Sequence, residues 1–239
     1  MVLGQIACEE KSNEITAIPQ LLEMLEISGC IVTIDDMGTQ TEIAKKICEK
    51  NADYILSLKS NQPALYNDVK LFMDEYCKDI DAKNDEIYSY TLDNSHGRLE
   101  KRECYVCNDI GWLHNREKWA DLSGIGMIIA KVEEKDSVLG QKHYFIYSCK
   151  NLSAKEIMKA KRAHWGIENS LRWVLDMSFR EDESRARKDH SAANFNALRH
   201  LVYNILKFDT SFEGSFPDKQ SKCMLDTAYL DMGLFSAFS

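Results

Sequence analysis

Apolar positions in the first 80 residues alternate between short runs and helical stripes. Val2 to Cys8 is a short apolar run that reads as a strand, and polar Glu9 to Asn13 turns the chain. From Thr16 to Ser28, Ile18, Leu21, Leu22 and Leu25 fall at helical spacing, Pro19 is tolerated in the first turn, and Gly29 closes the element. Cys30 to Ile34 is a β-branched run, the mark of a buried strand, and Asp35 and Asp36 stop it. Thr39-Gln40-Thr41-Glu42 has the spacing of a capping box and predicts a helix to Lys50, with Ile43 and Ile47 inward. Tyr54 to Leu58 reads as another apolar strand. A helix then follows Pro63 with Leu65, Val69, Phe72 and Tyr76 on one stripe. Strand–helix alternation of this kind predicts a sheet with helices packed on it.

The period changes after Lys78. Ile87 to Leu92, Glu100 to Cys107, Met127 to Val132 and His143 to Ser148 read as strands joined by Asn, Asp and Gly turns, a β-rich section. Helical spacing returns at Ser153, where Ser153-Ala154-Lys155-Glu156 is a second capping box. This helix is expected to run past Trp165 to about Met177, with Gly166 costing it roughly 1 kcal/mol relative to alanine. A further helix spans Ala192 to Lys207, with Leu198, Leu201, Val202 and Ile205 on one face. The tail beyond Phe208 has room for one more short helix between Lys219 and Leu234.

The net charge of −8 argues against nucleic-acid binding only if it is evenly spread. It is not: Lys155 to Lys207 carries eleven Lys/Arg against seven Asp/Glu, a net +4. No run approaches the roughly 18 apolar residues of a membrane-spanning helix, so no membrane role is expected. The eight cysteines lack regular spacing and read as reduced thiols. Cys104-Tyr105-Val106-Cys107 lies inside a predicted strand, without a second Cys/His pair at zinc spacing. A thiol enzyme therefore ranks last among the function classes.

Two acidic residues stand out. Asp35 closes a predicted buried strand, the place where open α/β sheets put ligands and catalytic groups, although capping polar residues are also common there. Glu168 lies in Ala163-His164-Trp165-Gly166-Ile167-Glu168-Asn169-Ser170-Leu171-Arg172-Trp173, where His164, Glu168 and Arg172 recur every four residues. A helix with a simple Glu–Arg pair and core tryptophans explains that segment equally well. Two-metal phosphoryl-transfer sites are built from Asp and Glu brought together from distant chain segments, and these two fit that chemistry. Arg98, in the polar turn His96-Gly97-Arg98, is a further candidate phosphate contact, because guanidinium forks onto phosphate oxygens.

These segments resemble a known family. Ile31 to Asp35 followed by Met37-Gly38, then Asp53 to Gln62, His96-Gly97-Arg98, His164 to Asp176, and Arg180-Glu181-Asp182 are similar, in order, to the H-repeat-associated insertion-sequence transposases, which are bacterial DDE transposases. The resemblance fades after about Phe208. It implies an α/β RNase H-like mixed sheet, with a β-rich insertion between the second and third catalytic carboxylates and helices at the C-terminus. The corresponding divisions are 1–82 for a partial catalytic core, 83–150 for the insertion, 151–210 for helices completing the core and 211–239 for a tail.

The resemblance further implies Mg²⁺ (or Mn²⁺) held by Asp35 and Glu168 as catalytic residues. His164, Arg172 and Arg98 are the expected DNA contacts, insertion-sequence ends and target DNA the partners, and the bacterial cytoplasm, at the nucleoid, the location. Along the glutamate helix the wider group has Tyr, Arg, Glu and Lys, where this chain has Lys161, His164, Glu168 and Leu175. The family's first catalytic Asp lies upstream of the segment resembling Val2 to Asn13. The expectation is therefore an N-terminally truncated copy that lacks the first strands of the usual 3-2-1-4-5 sheet and acts with a second or full-length transposase chain. The alternative is an inactive remnant that only binds DNA or such a transposase.

Overall fold

The computed structural model describes residues 1–6, 14–80, 84–95, 98–134 and 137–236. The chain divides into two compact units. One runs up to His164, and the other joins the N-terminal residues to Trp165 and everything after it.

The first unit contains α1 (Glu14–Met24), β1 (Ile31–Ile34), α2 (Thr41–Glu49), β2 (Asp53–Leu58), α3 (Pro63–Tyr76), β3 (Tyr88–Ser95), β4 (Arg98–Cys107), β5 (Gly124–Glu134), β6 (Ser137–Tyr147) and α4 (Ala154–Gly166), whose last two residues begin the second unit. The six strands form one mixed sheet in the order β1-β2-β6-β5-β4-β3. Only β1 and β2 are parallel, with Thr33 opposite Ile55. β6 runs antiparallel to β2, placing Ser57 opposite Phe145, and so joins the later hairpins to the same sheet. The mixed α/β class expected from the sequence is what forms.

Alternation along the strands sorts the two faces. Tyr54, Leu56 and Leu58 of β2 join Tyr144 and Ile146 of β6 in a core with Leu22 of α1, Ile43 and Ile47 of α2, and Leu65, Val69 and Met73 of α3. The odd-numbered β2 residues face the other way. There Ile55 and Phe145 are buried, and Ser57 receives a hydrogen bond from α4. α4 contributes Ala154, Ile157 and Met158 to the buried set. Gly126, on β5 between Val106 and Phe145, lets the Phe145 ring lie over the sheet. A Cβ there would stand 2.3 Å from Phe145 Cζ and 2.9 Å from the Tyr105 carbonyl. Gly126→Ala should therefore lower the unfolding free energy by about 2 kcal/mol through overpacking, as read by urea titration.

The second unit holds a π-helical turn at Ile167–Arg172, α5 (Trp173–Met177), α6 (Ser191–Phe208), α7 (Phe216–Leu225) and α8 (Thr227–Ser236). Two helices thus occupy the tail where the sequence pattern offered one. The strand expected at Val2 to Cys8 does not form over the described Met1–Ile6. No neighbouring strand takes these backbone groups. Instead Val2 N–H donates to Asn204 Oδ1 at 2.7 Å, the Val2 carbonyl accepts from Asn204 Nδ2 at 2.7 Å, and the Gln5 side chain donates from Nε2 to the Ala193 carbonyl. The segment is tied to α6 by side chains, which satisfies its polar groups without a ladder.

The helix expected from Thr39 begins two residues later. Its N-cap is Gln40, and the Thr39 hydroxyl donates across to the Ser57 carbonyl at 2.6 Å. The Ser153–Glu156 capping box does form, with Ser153 N–H donating to Glu156 Oε2 at 2.9 Å. Among the described residues, no helix is long and apolar enough to cross a membrane.

Candidate active site

β1 ends at Ile34, and the chain turns sharply through a 3-10 segment at Asp36–Gly38, where Gly38 N–H donates to the Asp35 carbonyl at 3.1 Å. A Cβ on Gly38 would lie 2.3 Å from Ile34 Cγ2 and 2.7 Å from Ile18 Cδ1. The Met37-Gly38 pair is thus explained by packing: only glycine lets the turn fold back over the end of β1. The loop after β2 then braces this turn. Lys59 pairs with Asp36 Oδ1 at 2.9 Å, Asn61 donates to the Asp36 carbonyl, and Gln62 donates to the Thr39 carbonyl at 3.1 Å. This gives the Asp53 to Gln62 segment a role in shaping the loop that carries Asp35.

Thr33 and Asp35 are two residues apart at the end of a strand and meet the same residue of α4. His164 lies on α4 with 13% of its side chain exposed. Its Nε2 is 2.8 Å from Asp35 Oδ1 and its Nδ1 is 3.1 Å from Thr33 Oγ1. The Asp35 side chain remains 64% exposed. One helical turn earlier, Lys161 is only 2% exposed and donates from Nζ to Ser57 Oγ at 2.6 Å. Burial pulls its ammonium pKa down to about 8, partly offset by the negative charge of Asp35. Two polar anchors, Lys161–Ser57 and His164–Thr33–Asp35, therefore tie α4 to the carboxyl ends of the two parallel strands.

The structure brings together Asp35 and His164 of the residues singled out in the sequence. Glu168 lies in the π-helical turn, where backbone bonding widens from four residues to five, a distortion frequent at functional sites. Arg172 closes that turn and is exposed. Arg98 opens β4 opposite Ser95, while its companions His96 and Gly97 lie outside the described residues. Thr33, Ser57 and Lys161 were not expected. Lys161 had a legible signal, since it continues the stripe Ala154, Ile157, Met158 at helical spacing.

The cysteines sit elsewhere. A cleft of about 530 Å³ opens at the other end of β1 and β2, between Ile31, Cys48, Asp53 and Cys149. Burial, reinforced by nearby acidic residues, pushes the Cys48 thiol to about 11 and Cys149 to about 12, which leaves little nucleophilic thiolate. Cys104 and Cys107 are buried in β4, and among the described residues no three His, Cys, Asp or Glu gather as a metal cluster.

Comparison with known proteins places this geometry in a family. Residues 1–205 match the family described as "Transposase DDE domain". The chain is 37% identical over 240 residues to "Putative transposase YncI" of Escherichia coli O157:H7, covering 99% of this chain and 60% of that protein. It is 35% identical over 239 residues to "H repeat-associated putative transposase YhhI" of Escherichia coli (strain K12), covering 96% of this chain and 61% of that protein. "Putative protein YbfL" of the same strain is likewise 35% identical, over 239 residues. The chain thus spans about three fifths of the length of these relatives. With its mixed sheet of RNase H-like class and its C-terminal helices, the chain belongs to the DDE transposase family.

Proposed function

We propose that this chain is part of a transposase that cuts a DNA phosphodiester with water and joins the freed 3′-hydroxyl to target DNA, with Asp35 and Glu168 as its metal-holding carboxylates. One observation carries the reading: an open carboxylate at the carboxyl end of a parallel strand, held by a histidine on the helix that leads to the glutamate. The donor chemistry fits a hard divalent cation. Magnesium binds through one or two carboxylates together with waters and substrate phosphate, and Asp35 keeps one oxygen without a partner among the described residues.

When bound, Mg²⁺ (or Mn²⁺) would supply Lewis-acid stabilisation of the charge that develops on the phosphate oxygens. The chain's own residues have simpler tasks. Asp35 and Glu168 supply oxygen ligands and form no covalent intermediate. Arg172 and Arg98 are the proposed contacts to backbone phosphates; His164, expected as a third, has both ring nitrogens bonded within the protein. DNA, both the element's ends and its target, is the proposed partner. A second copy or a longer transposase chain is the proposed protein partner.

The test is a Mg²⁺-dependent cleavage assay on DNA carrying the element's ends. Asp35→Asn and Glu168→Gln are each expected to slow cleavage by about 10²–10³-fold, the usual scale for removing one group that stabilises the transition state. Undiminished cleavage by both variants sinks the assignment. The second reading, a catalytically inactive DNA-binding chain, predicts no cleavage in any variant but DNA affinity that falls steeply with salt. The net +4 of Lys155 to Lys207 is the observation in its favour.

A further inference from the structure

His164 makes two hydrogen bonds that together hold its ring from both nitrogens. A carboxylate only accepts, so the ring nitrogen facing Asp35 must carry the proton, and Nε2–H donates to Oδ1 at 2.8 Å. The other ring nitrogen, Nδ1, is hydrogen-bonded to the Thr33 hydroxyl at 3.1 Å. The partners come from far apart in sequence: Thr33 and Asp35 from one strand end, His164 from a helix 131 residues beyond Thr33. The ring is mostly enclosed and the carboxylate mostly open. This arrangement is the reverse of a side chain reaching out to a ligand. Both ring nitrogens are spent on the protein, and the carboxylate is the group turned outward.

We infer that His164 is a positioning residue that sets the orientation of Asp35, with Thr33 holding the ring from its other nitrogen. Gripping Oδ1 removes the free rotation of the carboxylate and leaves Oδ2 as the oxygen offered to a divalent cation. Outer partners of this kind commonly change metal affinity by about 10–100-fold, because the ligand no longer has to be ordered when the ion binds. The inference rests on the reading of Asp35 as a metal ligand and adds which residues of this chain prepare it. It also gives His164, which stands where the wider group has an arginine, a task that an arginine would perform differently. A guanidinium meets a carboxylate with a planar fork of several donors, whereas an imidazole meets it with a single ring nitrogen.

The test uses the full ¹⁵N-labelled chain titrated with Mn²⁺, read by paramagnetic broadening of the amides around Asp35, with thermal unfolding of each variant alongside. In the wild-type chain the amides of Ile34 to Met37 should broaden, and Asp35→Asn should abolish this. His164→Ala should raise the Mn²⁺ concentration needed by about 10-fold or more. Thr33→Val, nearly isosteric, should raise it by a smaller factor. His164→Gln, whose amide N–H can still donate to Oδ1, should recover most of the loss.

A purely structural tether would lower the melting temperature of these variants without moving the Mn²⁺ midpoint. If Asp35→Asn abolishes broadening while His164→Ala and Thr33→Val leave the midpoint within twofold of wild type, the positioning role is overturned and the metal reading stands. If the wild-type amides do not broaden, or Asp35→Asn changes nothing, the metal reading of Asp35 falls and this role with it.

Discussion

Lys161→Met should raise the unfolding free energy at pH 7 by about 2 kcal/mol, although it removes a hydrogen bond. Lys161 is 2% exposed, and among the described residues its ammonium meets a single acceptor, Ser57 Oγ at 2.6 Å. Burial lowers its pKa from 10.5 to about 8, and the nearby Asp35 restores only part of the loss. That depression amounts to a penalty of about 3 kcal/mol for carrying the charge in the folded state. Losing the Ser57 bond gives back about 1 kcal/mol. The sign follows from proton counting. Below pH 8 both folded and unfolded chains carry the proton, so the penalty is fully present. Between about 8 and 10.5 the unfolded chain holds more protons than the folded one, so this contribution to stability improves as pH rises. Urea titrations of both proteins from pH 7 to 10 should therefore show their stabilities converging upward in pH. A methionine variant less stable than wild type at pH 7, with a constant gap, defeats the argument.

How far the sequence reaches depends on whether a feature is settled locally. α3 was legible because Pro63 marks its first turn and one apolar stripe runs its length. The existence of β3 to β6 was legible from alternation, but their reach was not. β5 continues beyond the expected Val132 to Glu134, and β6 begins at Ser137 rather than His143, in a ladder held by backbone bonds that composition does not report. The described part of the expected Val2 to Cys8 strand shows the opposite failure: an apolar run becomes a strand only beside another strand, and Asn204 takes the N–H and carbonyl of Val2 instead. The capping box at Ser153 formed because its partners are three residues apart, whereas Thr39 found a better acceptor in Ser57, 18 residues away.

The candidate site divides in the same way. Asp35 announces itself by ending a β-branched run before a turn, although β1 lies at the sheet edge and none of its residues is fully buried, contrary to the buried strand expected. Its partners do not, because Thr33 reads as an ordinary β-branched strand residue and His164 as one member of a polar helical face. Both acquire meaning only through the register of β1 against β2 and the seat of α4 on that face. Lys161 lies between these cases, for a lysine continuing an apolar stripe is visible in sequence, but its acceptor is not.

Lys219→Met is expected to act in the opposite direction from Lys161→Met, costing the helices α6 to α8 about 4 kcal/mol. Both lysines are buried, Lys219 being 8% exposed. The difference lies in what each ammonium meets. Lys219 Nζ donates to the Leu206 carbonyl at 2.9 Å and the Asp209 carbonyl at 2.6 Å, and stands 3.6 Å from Asp209 Oδ2. The Leu206 carbonyl is one of the last of α6, so the cation also meets the negative end of the helix dipole. Lys50 treats α1 alike, donating to the carbonyls of Leu22, Glu23 and Leu25.

Removing Lys219 leaves two buried carbonyls and a carboxylate without their cation, the situation in which breaking a buried pair costs about 3–5 kcal/mol. Asp209 also ties the effect to pH. Burial pushes its carboxyl upward, but hydrogen bonds from Ser211 and Tyr229, aided by the Lys219 charge, outweigh this and hold it at about 2. Its stabilising share is therefore complete above about 3.8 and is lost as pH falls through 2. Native-state hydrogen exchange at pH 7 should show the α6 to α8 amides losing protection in Lys219→Met, and the difference from wild type shrinking below pH 3. Equal protection in the two proteins at pH 7 would mean that solvent replaces the ammonium without penalty, and that the number of acceptors is not what separates a stabilising buried lysine from a costly one.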